Sequence, residues 1–239
     1  MGILKEYKPI GITPFELVEN VRLKYNLGKV KISYIGRLDP MAHGLMVLLV
    51  DKDVKNQEIH QQYDKTYKFQ ILFGVETDTY DVLGKILKND NIIPNLCNLE
   101  NVLSSFIGKT NQPYPPYSSY RVNKIPLWKW AKDGKLDEIS IPFKEINIYS
   151  LDYLDYRIVN YLDILKIVQR NIGELDSQYD FRQNSILDDW NKINKRDYLV
   201  ISCRSKVSSG TYIRSLSKNI GVKLDTCAIA FDIYREQVD

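Results

Sequence analysis

Histidine and cysteine are scarce in this chain. His43 and His60 are the only histidines, and Cys97, Cys203 and Cys227 the only cysteines, among 239 residues. Zinc sites, metalloprotease helices and most histidine-based acid–base schemes need more of these side chains than are present. Three widely spaced cysteines make neither a disulfide framework nor a metal knuckle. The expected compartment is therefore reducing and intracellular, with the cytoplasm as first choice and nucleus or organelle left open. Long apolar runs are also missing: the longest, residues 45–50, is far too short to span a bilayer. The start, Met1-Gly2-Ile3-Leu4-Lys5-Glu6, has no signal-peptide core and no Ser/Thr where myristoylation favours one. Neither a membrane nor a metal is expected as a partner. Alanine occurs only 4 times against 27 Ile and 17 Asn, a bias of AT-rich coding that carries no functional information.

What is present describes an ordinary globular chain: 44% hydrophobic, 26% charged, formal net charge +3. One domain is the simplest organisation for this length. The charge is unevenly distributed. Residues 1–50, 101–150 and 201–239 carry net +3, +3 and +2, while 51–100 and 151–200 carry −3 and −2. Either this is chance or the basic blocks meet on one face.

Thr13-Pro14-Phe15-Glu16 reads as a capping box with Pro at the first helical position, and the helix is expected to stop at Gly28. Val30, Ile32 and Tyr34 alternate as in a strand, and residues 45–50 read as a buried strand. Tyr67, Phe69, Ile71, Phe73 and Val75 alternate strictly. Residues 98–106 and 126–132 read as helices, 109–125 as an irregular Pro- and Tyr-rich stretch. Residues 146–151, 161–168 and 199–207 read as strands, with a polar insert over 176–197. A helix follows from Tyr212 to Ile220. Strands and helices mix without a βαβ repeat, so the class is α+β with a largely antiparallel sheet.

Three segments can carry chemistry. Gly36-Arg37-Leu38-Asp39-Pro40-Met41-Ala42-His43-Gly44 is a glycine-bounded loop on which a single carboxylate, Asp39, faces a cleft or caps a turn. A lone carboxylate suits a nucleophile or electrostatic stabiliser rather than paired acid–base work. Ser208-Ser209-Gly210-Thr211-Tyr212-Ile213-Arg214 opens a helix, where free N–H groups suit phosphate. Arg214 stands in the first turn, where the dipole disfavours a cation, so an anionic partner is expected. Pro113 to Arg121 with Trp128-Lys129-Trp130 interleaves aromatics and cations, as in surfaces that stack bases and meet phosphates. A polyproline ligand or a plain aromatic core are the alternatives. Gly108-Lys109-Thr110 is not a phosphate loop, because Leu103 stands where the motif needs glycine.

Taken in chain order, these segments resemble the TruB family of tRNA pseudouridine synthases. The resemblance rests on Lys8-Pro9-Ile10-Gly11-Ile12-Thr13, the Gly36–Gly44 loop, Asp64-Lys65-Thr66-Tyr67, Gly74 to Gly84, Pro115 to Trp128, and Ser209-Gly210-Thr211-Tyr212-Ile213-Arg214-Ser215-Leu216. It implies an α+β pseudouridine synthase fold, a mixed, largely antiparallel sheet flanked by helices around a central RNA-binding cleft. It implies isomerisation of uridine to pseudouridine, at uridine 55 in the T-loop of tRNA, without cofactor or metal. Residue by residue, Asp39 matches the nucleophile, Arg214 its arginine partner, and Tyr67 the tyrosine that stacks on the target base. Tyr212 and Ile233 match pocket-lining positions. Tyr34 stands in Ser33-Tyr34-Ile35, where the family usually has Gly-His-Thr. It can supply the histidine's stacking but not its charge, while Arg37 adds positive charge nearby. Lys8, Arg37, Arg121 and Trp128 are expected to contact RNA. The resemblance further implies a single catalytic domain over 1–239, with a thumb-like RNA-contacting region at 109–132, no C-terminal PUA-type domain, and a monomer bound to the tRNA T-arm. The insert at 176–197 has no counterpart in compact bacterial members. A catalytically silent tRNA-binding or folding protein, and a guide-RNA-dependent relative acting on ribosomal RNA, are the alternative functions.

Overall fold

The computed structural model describes residues 2–239. In chain order its elements are β1 (Ile3–Lys8), α1 (Pro14–Lys24), β2 (Ile32–Ile35), β3 (Ala42–Val50), α2 (Gln57–Gln61), β4 (Lys65–Phe73), β5 (Val75–Thr77), β6 (Ile86–Asn89), α3 (Leu99–Ser104) and β7 (Gly108–Pro113). There follow β8 (Arg121–Val122), β9 (Ile125–Pro126), α4 (Leu127–Lys132), β10 (Phe143–Asn160), α5 (Tyr161–Gly173), α6 (Gln183–Trp190), β11 (Asp197–Val207), α7 (Ile213–Lys223) and β12 (Ala228–Val238).

An eight-stranded sheet runs β1-β3-β12-β4-β11-β10-β7, with β2 also paired to β3. Every pairing in it is antiparallel except β12 with β3. The central strands are buried on both faces. Tyr67, Phe69, Ile71 and Phe73 of β4 join one apolar cluster with α1, α3 and α7. Leu72 of β4 joins a second, with α5 and α6. The α+β class and the largely antiparallel sheet agree with the sequence reading.

Local signals set most boundaries. Thr13 Oγ1 accepts from Glu16 N and Glu16 Oε2 from Thr13 N, the expected capping box. The helix stops at Lys24, before Gly28, because Asn26 already takes a left-handed φ of 50°.

Three expectations are corrected. Residues 161–168 are not a strand but the first part of α5. Ile164, Val168 and Ile172 recur every fourth residue on its buried face, and the Asn160 side chain caps it by accepting from Leu162 N. Within the stretch expected to be irregular, Gly108–Pro113 is an edge strand in register with Phe143 to Ile148 of β10. The insert at 176–197 is not merely polar: α6 sinks Ile186 and Trp190 into the second cluster.

The insert therefore contributes to stability. Among the described residues the indole N–H of Trp190 has no hydrogen-bond partner. Trp190→Ala is expected to cost ~4 kcal/mol, measured by urea unfolding. Trp190→Phe, which also removes that unpaired donor, is expected to cost less than half as much.

Candidate active site

The Asp39 loop joins β2 to β3 where these two strands part. Gly36 enters it at φ +68°, and a Cβ there would press on Lys65 and Arg235. Asp39 O accepts from Ala42 N at 3.0 Å, closing a turn that Pro40 stiffens.

Two buried cations fasten the loop from beneath. Arg235 on β12 donates to Leu45 O, Gly36 O and Arg37 O at 2.7, 3.2 and 3.3 Å. Lys8 at the end of β1 donates to Ile12 O, Pro9 O and Pro40 O at 2.7, 2.8 and 3.4 Å. Carbonyls outside the strand ladder are thereby satisfied. Lys8 is fully buried, so the expectation that it touches RNA is corrected: its ammonium is occupied by main-chain oxygens inside the fold. Burial pushes its amine down to about 7.

Above this floor stands the pair that the sequence singled out. Arg214 is the second residue of α7, and its Nε donates to Asp39 Oδ2 at 2.7 Å. Nη1 donates to Thr79 O at 2.6 Å and Nη2 to Tyr117 O at 3.1 Å. A second carboxylate, Asp81, lies 3.8 Å from Nε. Burial opposes the charge on Arg214, but Asp39 and Asp81 outweigh it and hold the guanidinium above its ordinary value. The two acids differ in access. The Asp39 side chain is 36% exposed against 3% for Arg214, whereas Asp81 is buried and bonded to Thr79 Oγ1 and Leu83 N. One carboxylate is open for chemistry and the other is closed behind the arginine.

Asp39 and Arg214 border a cleft of about 890 Å³ that also contains Tyr34, Arg37, Tyr67, Tyr212 and Ile233. Tyr67 is both core and cleft wall, buried among apolar neighbours at the start of β4. Tyr212 is clamped by Gln112 of β7, which accepts from its N–H at 2.8 Å and donates to its carbonyl at 3.1 Å. Burial, with the nearby Asp39 carboxylate, pushes its hydroxyl up to about 12. Arg37 donates twice to the Tyr34 hydroxyl, at 2.9 and 3.1 Å. Trp128 lies in an adjoining hollow of about 680 Å³ that shares Asp39 and Arg214 with the cleft. Arg121, on the exposed β8–β9 hairpin, lines neither.

The sequence reading assigned no role to Asp81, Lys65, Lys144 or Arg235. Each stood near a quoted motif or basic block, but only the fold brings them to Asp39. Lys65 and Lys144 line the cleft, and burial together with Arg235 and Lys144 pushes the Lys65 amine down to about 8. Cations of all three basic blocks line the cleft: Arg37, Lys144 and Arg214. Among the described residues no group of His, Cys, Asp and Glu could hold a metal, and no helix is long and apolar enough to cross a membrane.

This arrangement sits on a pseudouridine synthase fold. The chain superposes on a chain of a Cbf5-Nop10-Gar1 complex with a TM-score of 0.60 at 18% identity, over 99% of this chain and 48% of that one. Residues 24–167 match the TruB family pseudouridylate synthase N-terminal domain, and the chain belongs to that family. It is 31% identical to tRNA pseudouridine synthase B of Aquifex aeolicus, over 100% of this chain and 68% of that protein. The same enzyme of Clostridium novyi is 32% identical, over 99% of this chain and 66% of that protein. The chain thus spans about two thirds of the length of the curated relatives it matches.

The burial of Asp81 has a pH signature. Burial pushes its carboxyl up to about 6 from 3.8, although Arg214 and Thr79 pull it down. Between those values the native chain holds a proton that the unfolded chain releases, so this group's contribution to stability falls as pH rises. From about pH 4 to pH 6 the wild type is expected to lose ~1 kcal/mol per pH unit relative to Asp81→Asn. Urea unfolding of both proteins across that range measures it, and parallel curves refute it.

Proposed function

We propose that this protein isomerises uridine to pseudouridine in tRNA, at uridine 55 of the T-loop, with Asp39 as nucleophile. One observation carries the reading: an accessible carboxylate bonded at 2.7 Å to a buried guanidinium, at the edge of a cleft lined by Tyr67, Tyr212 and Ile233. The relatives named tRNA pseudouridine synthase B support tRNA as the substrate.

The target base sits inside a folded arm, so it must leave its stack to reach Asp39. Arg214 holds the Asp39 carboxylate at the edge of the cleft through its 2.7 Å bond. The carboxylate adds to C6 of the base or to C1′ of the sugar. In either case the N1–C1′ bond breaks and the uracil turns. The C5–C1′ bond then forms, the bond from Asp39 to C6 or C1′ breaks to release the carboxylate, C5 loses its proton and N1 gains one, so substrate and product are isomers. Tyr67 stacks on the base while Tyr212 and Ile233 confine it. Arg37, set beside Tyr34, supplies the positive charge that a histidine would bring there. Residues 109–132 act as a thumb-like RNA-contacting region, with Trp128 facing the adjoining hollow. Recognition rests on the shape and phosphates of the T-arm, bound by a monomer.

An unmodified tRNA transcript, incubated with the protein and mapped by carbodiimide treatment and primer extension, is expected to stop at the T-loop uridine. Asp39→Asn is expected to abolish that stop, a loss of at least ~10⁴-fold. A transcript with cytidine at that position is expected to give none. Binding of tRNA by the wild type without product would support the silent-binder reading instead.

A further inference from the structure

The nucleophile pairing leaves one question open: what holds Arg214 itself. Two of its bonds go to main-chain carbonyls, Thr79 O and Tyr117 O, from segments far apart in the chain. Both lie in loops. Thr79 stands in the turn between β5 and β6, where Tyr80 has φ 65°, and Tyr117 stands between β7 and β8. Carbonyls on loops point steadily at a guanidinium only if something else fixes the loops.

A second arginine spans the same two segments. Arg182 donates through Nη1 to Asp78 Oδ2 at 2.5 Å and through Nη2 to Asp78 Oδ1 at 3.2 Å, a two-pronged bond to the residue before Thr79. Its guanidinium carbon also lies 4.5 Å from the centre of the Tyr117 ring. The pair is mostly shielded, with Arg182 and Asp78 side chains 17% and 19% exposed. Arg182 is well anchored, for it immediately precedes α6, whose Ile186 and Trp190 are locked in the apolar cluster. The backbone at Arg182, the residue that caps α6, is left-handed with φ 65°. Asp180, two residues earlier, pairs with Lys132 at the end of α4.

We propose that Arg182 is a positioning residue for the Asp39–Arg214 pair, fastening from outside the two segments whose carbonyls hold Arg214 from inside. The proposal rests on the reading of Asp39 as the reactive carboxylate. It gives the insert at 176–197 a function: the insert carries a buried anchor, α6, and a guanidinium that lines the hollow adjoining Asp39 and Arg214. A lysine could keep the charge on Asp78 but not the two-pronged bond or the flat contact with Tyr117.

The test combines kinetics with a measurement that needs no turnover. On a tRNA transcript, Arg182→Gln is expected to lower kcat about tenfold with KM within about twofold, and Arg182→Lys to recover part of the loss. Asp78→Asn keeps the bond from Lys85 N and removes the charge. It is expected to reproduce the Arg182→Gln loss, and the double variant to be no worse than either single one. In the free protein, hydrogen exchange at the ¹⁵N-labelled Arg214 Nε–H is expected to quicken at least tenfold in Arg182→Gln. An active wild type whose Arg182→Gln variant keeps kcat overturns the proposal. So do losses that add between Arg182→Gln and Asp78→Asn, or a change confined to KM, which would mean contact with the RNA. A wild type that forms no pseudouridine defeats the functional reading alone. The exchange rate of Arg214 Nε–H then decides the positioning role, and an unaltered rate rejects it.

Discussion

The guanidinium of Arg214 is the point on which the site depends. A buried cation is costly unless every donor is used and a negative charge stands close by. The chain offsets that cost by bringing three segments to one side chain at the head of α7: the Asp39 loop, the Thr79–Asp81 turn and the Tyr117 segment. The position in the first turn of α7, unfavourable for a cation by the helix dipole, is tolerated because these acceptors surround it.

Around this pair, positive charge is divided by depth. Lys8 and Arg235 are spent on carbonyls beneath the loop and are sealed from solvent. Arg37 is exposed and free to meet an anion, its guanidinium braced on the Tyr34 hydroxyl. Lys65 stands between, buried yet on the cleft wall, with a weakened hold on its proton. A count of lysines and arginines treats these alike. Cations that fix a loop and cations that lie open to solvent separate only when burial is known.

Much of the site was legible because its residues break local rules. A cation at a helix start and a carboxylate on a glycine-bounded loop both ask for a partner, and each proved to be the other's. Asp81 broke no rule; it is one acid among several between 76 and 81, and its burial comes from tertiary packing. Lys8 misled for the opposite reason, since a lysine beside a proline at a strand end is ordinarily solvated. Residues 161–168 read as a strand because β-branched and aromatic residues crowd a short window. The period of four appears only when Ile172 is included and Asn160 is seen as a cap. Gly108–Pro113 has few apolar residues, and its strand character comes from the neighbour it pairs with, β10.

The position of β12 has a consequence for how the molecule comes into being. This strand, formed from residues 228–238, lies between β3 and β4, both of which emerge from the ribosome far earlier. Until it arrives the sheet has a gap at its centre, and Leu45 O, Gly36 O and Arg37 O lack the guanidinium that satisfies them. The loop bearing Asp39 is thus completed only once β12 has been made, after the pairing of greatest sequence separation has closed. A nascent chain halted before residue 228 would carry Asp39 and Arg214 yet only the Lys8 half of the floor beneath them. The setting of Asp39 and Arg214 arrives with completion of the sheet rather than with synthesis of the two residues themselves.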